Sequence, residues 1–269
     1  MAGGWDRIVH HLEEQGGVDG RGILRSLVDG GTAVVVLRGL LPPEQFASGL
    51  ERLLPLFRQA TATSYTNATS TTVGTFLAKH LAAPDAYFEE AAAAEELTDS
   101  VGFDLADRVR ERLADVLELD SFELEREPDG RAYAKKNVRI YSDGVRTPLH
   151  NDNIMRDAAG TGLAIEKLLH QLSVVVCVQE CDGGGELEIH QKSWQPPDEK
   201  FKIAGGFGYD AKVVGDAAVH RFKPQTGDVY LLNPTCYHAI GAPTGTDRIT
   251  MGFFFGFYDD ALRDAVAWV

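Results

Sequence analysis

The stretch Arg-Ile-Thr-Met-Gly-Phe-Phe-Phe-Gly-Phe, residues 248–257, predicts a buried β-strand. Isoleucine, threonine and phenylalanine are residues that favour strands. Residues 171–178, Gln-Leu-Ser-Val-Val-Val-Cys-Val, have the same character. The second half of the chain is therefore predicted to be built around long apolar strands.

Shorter strands are predicted around these two. They alternate with turn segments such as Gly183-Gly184-Gly185 and the glycine-containing run 224–227. The predicted positions are 133–141, 186–190, 219–222, 228–232 and 237–240. No regular alternation with helices accompanies them, which favours an antiparallel sandwich or jelly roll. The predicted fold class is mainly β with flanking helices around a double-stranded β-helix, or cupin-like jelly-roll, core.

The first part of the chain is predicted to be mostly helical. Helices are expected at 8–14, 23–28, 86–96 and 103–117, and another begins at Pro42-Pro43; residues 32–38 predict a strand. We expect one domain over residues 1–269. It divides into a helical support and lid (1–130), the jelly-roll core (131–258) and a C-terminal helix (259–269).

Composition excludes some classes of function. The chain of 269 residues has a formal net charge of −14, so it lacks the basic surface that nucleic-acid binding requires. No secretory signal and no apolar stretch long enough to span a membrane is evident. The expected location is the cytoplasm, and the expected partner is a small molecule. The oligomeric state stays open.

Three residues suggest a metal site. His150 and Asp152 have the spacing that places two side chains on one face of a strand, and Pro148 favours an extended chain before them. His238 would come from a neighbouring strand. Two histidines and one carboxylate on one face of a metal are the ligand set of non-haem Fe(II) oxygenases. An H-x-D triplet also occurs by chance, and His190 and His220 are the substitutes if this assignment fails.

Arg248 lies ten residues after His238 and opens the buried strand. A buried guanidinium needs an anion, and Thr250 lies on the same strand face. Together they predict a binding site for the distal carboxylate of a cosubstrate that chelates the metal.

These residues resemble the iron(II)/2-oxoglutarate-dependent oxygenase superfamily over residues 131–258. They are most similar to the free-standing group that contains indole-alkaloid halogenases and N-acyl amino-acid hydroxylases. The supporting segments, in chain order, are Gln171-Leu172-Ser173, Gly184-Gly185-Glu186-Leu187, Trp194-Gln195-Pro196, Gly227-Asp228 and 248–253. The resemblance implies Fe(II), 2-oxoglutarate as cosubstrate, and O2.

Asp152 departs from the halogenase branch of this group. The resemblance places glycine or alanine at this position in halogenases, which leaves a coordination position for chloride. A carboxylate here implies oxygen transfer, most simply hydroxylation of an unactivated C–H bond. Desaturation, cyclisation and epimerisation by the same iron chemistry stay open.

Further site residues are predicted from their positions. Arg156 follows the metal segment closely enough to bind a substrate carboxylate, although it can equally be a solvated charge. Thr75 and Phe76 belong to a segment that resembles the substrate-pocket wall of the relatives. Tyr141 and Gln171 are predicted to contact the cosubstrate or to support the ligands.

The expected substrate is an amino-acid derivative or a natural-product intermediate. A non-catalytic, metal-binding cupin-like protein and a zinc-dependent isomerase or hydrolase are the alternatives. Neither alternative needs the pair Arg248 and Thr250.

Overall fold

The computed structural model describes residues 5–12 and 17–269. The α-helices in this part of the chain are α1 (Gly20–Val28), α2 (Pro43–Leu53), α3 (Pro84–Ser100), α4 (Leu105–Val116) and the single turn α5 (Ile154–Asp157). The strands are β1 (Arg7–His11), β2 (Val34–Arg38), β3 (Thr61–Ser64), β4 (Thr69–Val73), β5 (Ser121–Leu124), β6 (Asn137–Tyr141), β7 (Thr147–His150), β8 (His170–Gln179), β9 (Leu187–Ser193), β10 (Val219–Phe222), β11 (Val229–Leu232), β12 (Cys236–Ile240), β13 (Arg248–Phe257) and β14 (Asp264–Trp268).

Strands β6 to β13 form a jelly roll of two facing antiparallel layers. The larger sheet contains the order β11-β8-β13-β6, and the smaller sheet has the order β10-β9-β12-β7. Consecutive strands therefore alternate between the layers, except that β9 and β10 pair with each other in the smaller sheet, as in a double-stranded β-helix. The predicted fold class is confirmed. Strands β1 to β5 and β14 extend the larger sheet, and the pairs β1–β2 and β14–β5 are parallel.

The larger sheet separates two apolar cores. In β2, Val35 and Leu37 pack with the helices, whereas Val34 and Val36 pack with residues of the smaller sheet. This division follows from the two-residue period of a strand, which sends successive side chains to opposite faces. Helices α1 and α2 therefore cover the outer face of the sheet, and the inner face remains available to a site between the layers.

Two of the predicted helices are wrong. Residues 7–11 form β1, because Ile8 and its neighbours pair with β2; Glu13 and Glu14 lie outside the described residues. The predicted C-terminal helix over 259–269 is replaced by β14, in which Ala265 and Ala267 are buried beside β13 and β5. Alanine has the highest helix propensity, but propensity is a weak determinant, and pairing with the neighbouring strands overrides it here.

Other local predictions are confirmed or need a correction of extent. The helices expected at 23–28, 86–96, 103–117 and after Pro42 all form, but β1 to β5 lie among them, so the described residues up to 130 form a mixed segment. The strand expected at 133–141 begins only at Asn137. Among the described residues no helix is both long and apolar enough to cross a membrane.

Candidate metal centre and adjoining cavities

His150 and His238 lie opposite each other on neighbouring strands of the smaller sheet. Their Cα atoms are paired in the β7–β12 register, and their ring centroids are 4.2 Å apart. Asp152 follows the end of β7, where its backbone N–H donates to the carbonyl of Pro234 at 2.9 Å. Its Oδ2 atom lies 3.8 Å from His150 Nε2 and 3.6 Å from His238 Nε2. The structure thus brings the three predicted ligands together.

Each imidazole is oriented by its own strand. His150 Nδ1 lies 2.9 Å from the carbonyl of Pro148, and His238 Nδ1 lies 2.9 Å from the carbonyl of Cys236. A carbonyl only accepts hydrogen bonds, so Nδ1 must carry the proton and Nε2 presents its lone pair. Both contacts span two residues, which gives the two rings matching orientations.

The environment keeps both imidazoles neutral. Burial, followed by the proximity of His238, lowers the pKa of His150 to about 3. Burial also lowers the pKa of His238, although Asp152 opposes this effect. Neutral imidazoles and an ionised carboxylate are the forms that bind a metal.

The donor set fits a non-haem iron centre. The three candidate ligand atoms lie within 4.8 Å of one another, and no second cluster of this kind is found in the part of the chain that the structure describes. Two imidazoles and one carboxylate leave open positions on Fe(II). The substitutes are engaged elsewhere, since His190 contacts Glu188 and His220 contacts Asp6, each at 2.8 Å.

An inner cavity extends from the metal centre between the two sheets. Arg248 and Thr250 line it from β13 and are 2% and 3% exposed. Arg248 Nη2 donates to the hydroxyl of Tyr230 at 3.0 Å, and the guanidinium carbon lies 5.1 Å from the ring centre of Tyr141. No carboxylate among the described residues forms an ion pair with Arg248. The cavity therefore offers a buried positive charge to an anion.

Gly185 fixes the position of the Arg248 side chain. Its φ of +72° favours glycine, and a Cβ atom there would lie 2.7 Å from Cys181 Sγ and 3.0 Å from Arg248 Cδ. The turn before β9 therefore packs directly against the aliphatic part of the arginine.

A larger outer cavity lies on the other side of the metal centre. Its volume is about 500 Å³, within the usual range for small-molecule sites. Aromatic walls include Phe76 and Phe207, and the ring centroid of Phe207 is 4.9 Å from that of His150. Asn67 holds the Phe207 segment, because its side chain accepts from the Phe207 N–H at 2.8 Å and donates to the Phe207 carbonyl at 2.9 Å.

The remaining predicted residues have different surroundings. Tyr141 lines the inner cavity with Arg248, and Phe76 lines the outer cavity, as expected. Arg156 also lines the outer cavity, but its guanidinium is bound by Asp157 at 2.6 and 3.0 Å and by Asn151 at 2.8 Å.

Gln171 lies at the outer cavity, whereas Thr75 lines neither of the two cavities. Gln171 lines the outer cavity, and its Oε1 accepts from the N–H of Ile154 at 2.8 Å, which supports the segment after Asp152. Thr75 lies outside both cavities, where its hydroxyl donates to Glu90 at 2.9 Å. The expectation that Thr75 lines the substrate pocket stays a prediction. Consecutive residues of an extended segment face opposite ways, and here Phe76 takes the side of the outer cavity.

Sequence reasoning did not find Arg139 and Tyr230. Both line the inner cavity. Arg139 lies two residues before Tyr141 on the same strand. Because strand side chains alternate between faces, Arg139 and Tyr141 are on the same face. No signal in the sequence marked Tyr230 as the hydroxyl that accepts from Arg248.

The jelly roll and its two-histidine, one-carboxylate centre define the class of Fe(II)- and 2-oxoglutarate-dependent oxygenases. Within that class the chain belongs to the family of the carrier-protein-independent halogenase WelO5, whose model matches residues 17–266.

Two curated proteins resemble parts of the chain. The L-gamma-glutamyl-L-propargylglycine hydroxylase of Streptantibioticus cattleyicolor is 32% identical over 121 residues, which cover 44% of this chain and 43% of that protein. The Leucinostatins biosynthesis cluster protein S of Purpureocillium lilacinum is 24% identical over 165 residues, which cover 59% of this chain and 66% of that protein. The chain thus matches less than two thirds of either relative.

Solved structures resemble nearly the whole chain. An N-substituted L-amino acid dioxygenase of Burkholderia ambifaria AMMD, in complex with alpha-ketoglutarate, has a TM-score of 0.61 at 17% identity and covers 93% of this chain and 91% of its own. The alpha-ketoglutarate-dependent epimerase SnoN from nogalamycin biosynthesis has a TM-score of 0.53 at 14% identity, with 88% and 86% covered. At these identities the likeness concerns the fold.

Proposed function

We propose that the protein is an Fe(II)- and 2-oxoglutarate-dependent hydroxylase of a small molecule. The observation that carries this proposal is the placement of Asp152 beside both Nε2 atoms, at 3.8 and 3.6 Å. Iron bound there would supply the oxidation of a C–H bond by dioxygen, with decarboxylation of the cosubstrate to succinate. His150, Asp152 and His238 would hold the metal.

Asp152 favours hydroxylation over the halogenation that gives the family its name. Halogenases of the group it resembles carry glycine or alanine at this position, which leaves room for chloride. Here the carboxylate provides the third protein ligand, and its backbone is held by the carbonyl of Pro234.

Arg248, Thr250 and Tyr141 are proposed to bind the distal carboxylate of 2-oxoglutarate. Arg248 is buried without a carboxylate partner among the described residues, and a planar guanidinium binds a carboxylate through two parallel hydrogen bonds. Burial lowers the pKa of Arg248, but the neighbouring Tyr230 and Tyr141 outweigh this effect and raise it, so the guanidinium keeps its charge. Gln171 is proposed to support the metal segment through Ile154 and not to touch the cosubstrate.

The outer cavity is proposed to bind an N-substituted amino acid. The names of two relatives describe action on a γ-glutamyl amino acid and on N-substituted L-amino acids. Phe76 and Phe207 offer an apolar wall, and Arg146 is an exposed cation of this cavity that has no ion pair in the described structure. Arg156 contributes to the wall, whereas its charge is already neutralised by Asp157.

The test is anaerobic addition of 2-oxoglutarate to the Fe(II)-loaded protein. Chelation of the iron should produce a weak visible charge-transfer band, and the band should be lost in Arg248→Ala at the same cosubstrate concentration. Arg146→Ala, which removes an arginine from the outer cavity alone, is the matched control and should keep the band.

Turnover is then measured with a panel of γ-glutamyl and N-acyl amino acids. Succinate release should accompany a product heavier by one oxygen atom. If no band forms in the unaltered protein and none of the panel gives succinate, the proposed function is wrong. A chlorinated product in the presence of chloride would contradict the role of Asp152.

A further inference from the structure

Two apolar residues lie where the inner and outer cavities meet. The residues that line both cavities are Arg139, His150, Asp152, Phe254 and Val269. The first three are a cation and two candidate metal ligands, so Phe254 and Val269 form the apolar part of this junction. A substrate group that approaches the metal from the outer cavity therefore meets these two side chains beside the ligands.

Strand β14 carries Val269 to the junction. Trp268, the last residue of the strand, is paired with Phe254 of β13, and their ring centroids are 6.0 Å apart. Trp268 lines the outer cavity, and Val269 follows it directly and is 4% exposed. Because protein interiors are close-packed, a change of even one methyl group at Val269 changes the space at the junction.

Two hydrogen bonds hold the backbone of Val269. Its main-chain oxygen accepts from the hydroxyl of Tyr87 at 2.6 Å and from the N–H of Leu77 at 3.1 Å. Tyr87 belongs to α3, and Leu77 lines the outer cavity from the segment after β4. Strand β14 itself ends at Trp268. The place of Val269 at the junction therefore depends on contacts from outside its own strand.

Tyr87 acts on the junction without lining either cavity. It is fully buried in the apolar core beside the helices. Its hydroxyl accepts from the N–H of Ala134 at 2.9 Å and donates to Val269. Burial raises the pKa of Tyr87, so the hydroxyl keeps the proton that it donates. This phenol therefore connects α3 and the segment before β6 to the residue at the junction.

We propose that Val269 is a specificity-determining residue, whose side chain decides how far an apolar group of the substrate reaches towards the metal. Tyr87 is a positioning residue that fixes Val269 in this place. The inference rests on the proposed function and adds to it that the oxidised group of the substrate is aliphatic. The charged groups of the substrate stay in the outer cavity, where Arg146 lies.

The test uses a series of substrates that differ by single methylene groups. The N-acetyl derivatives of L-2-aminobutyrate, L-norvaline and L-norleucine are titrated anaerobically into the protein loaded with Fe(II) and 2-oxoglutarate, and the change in the visible band gives each Kd. Val269→Ala removes two methyl groups from the junction. It should shift the ratio of Kd values in favour of the longer chain, by roughly 4-fold for each methylene group that is newly buried.

The position of the hydroxyl group gives a second measurement. In Val269→Ala the chain reaches deeper, so NMR of the product should find the hydroxyl on a carbon nearer to the amino group. Val269→Leu reduces the space instead, and it should shift the ratio of Kd values in favour of the shorter chain. The two variants act in opposite directions, which a general loss of stability would not produce.

Tyr87→Phe tests the positioning role and has a matched control. It removes only the hydroxyl and should shift the ratio of Kd values in the same direction as Val269→Ala, with a smaller effect when the two changes are combined. Tyr133→Phe is the control, because its ring lies 5.8 Å from that of Tyr87 and its buried hydroxyl donates to Glu127. This control should lower the Tm to a similar extent and leave the ratio unchanged.

The results distinguish this inference from the proposed function. If the unaltered protein binds the series and both Val269 variants keep its ratio of Kd values, the role of Val269 is wrong and the proposed function stands. Equal shifts in Tyr87→Phe and Tyr133→Phe would overturn the positioning role of Tyr87. If the visible band forms but the unaltered protein neither binds nor hydroxylates any member of the series, the proposed substrate and this inference are both wrong. Absence of the band itself would refute the proposed function.

Discussion

The backbone of β7 and of β12 orients the two imidazoles of the metal centre. The carbonyls of Pro148 and Cys236 accept from Nδ1 of His150 and His238, each two residues away. No other side chain is needed to select the tautomer. Because both histidines are also cross-strand partners, the ligand geometry depends on the register of β7 and β12.

The first prediction concerns Asp152. Replacing it by glycine removes the charged ligand while the two histidines keep their backbone contacts. We expect Asp152→Gly to lose hydroxylation by at least about 100-fold, above the effect usual for residues that only support a ligand. The measurement is the initial rate of hydroxylated-product formation at saturating Fe(II) and 2-oxoglutarate. Asp216→Gly, which changes an exposed carboxylate that lines neither cavity, is the control. Full activity of Asp152→Gly would contradict the ligand assignment.

The second prediction concerns the pH dependence of the metal-free protein. The pKa of His150 falls from 6.5 in the unfolded chain to about 3 in the fold, so the unfolded state binds more protons below pH 6.5. Stability is therefore lost as the pH falls through this range. From about pH 7.5 to about pH 5.5, His150 alone should cost about 1.4 kcal/mol of unfolding free energy.

Urea unfolding at several pH values measures this loss. In His150→Gln the side chain at position 150 does not titrate in this range, so the stability of the variant should depend less steeply on pH. An equal slope in the variant would show that other groups cause the dependence.

At the level of elements, most strands of the jelly roll and the added strand β2 could be predicted, whereas the other added strands could not. The limits of β10 and β13 match the prediction, because turn residues follow β10 and an apolar run marks β13. Strands β3, β4 and β5 are short and mostly polar or mixed, and their pairing is decided by neighbours that are distant in sequence. The strand β14 could not be predicted either, because its pairing partner β5 is distant in sequence.

The site was predictable where residue spacing and chemistry agreed. His150 and Arg248 have side chains that need a partner when buried. Two-residue spacing grouped His150 with Asp152, and it grouped Arg248 with Thr250. Arg139 shares its face of β6 with Tyr141, but an arginine in an alternating strand is equally typical of a solvated face, so Arg139 was missed. That face lines the inner cavity, and only the second sheet reveals it.

The third prediction concerns the contact of the β3–β4 hairpin with the Phe207 segment. Asn67 holds Phe207 by two hydrogen bonds, and Thr66 adds a single bond to the carbonyl of Gly205 at 3.1 Å. Asn67→Ala should speed hydrogen exchange of the Phe207 amide by roughly 5- to 30-fold, the effect of losing about 1–2 kcal/mol of local stability.

Exchange of residues 203–209 followed by mass spectrometry measures this change. Thr66→Val, which removes one exposed hydrogen bond, is the control and should have a smaller effect. Unchanged exchange in Asn67→Ala would show that the segment is held by other contacts.

Across the whole molecule, charge is distributed unevenly. The chain has a net charge of −14, yet Arg139, Arg146 and Arg248 line the two cavities without carboxylate partners among the described residues. Opposite local charge in a cleft attracts anions even when the overall charge repels them. The negative net charge of the chain is therefore compatible with binding of an anionic cosubstrate in these cavities.

The meeting point of the cavities has a consequence for the order of events in turnover. The inner cavity meets the outer cavity at Arg139 and the metal ligands. A substrate in the outer cavity covers these residues. The cosubstrate should therefore enter first, and a substrate that arrives early should form a dead-end complex. Initial rates at high substrate concentration should fall, and added 2-oxoglutarate should restore them. Inhibition that persists at saturating 2-oxoglutarate would mean that the inner cavity has another entrance.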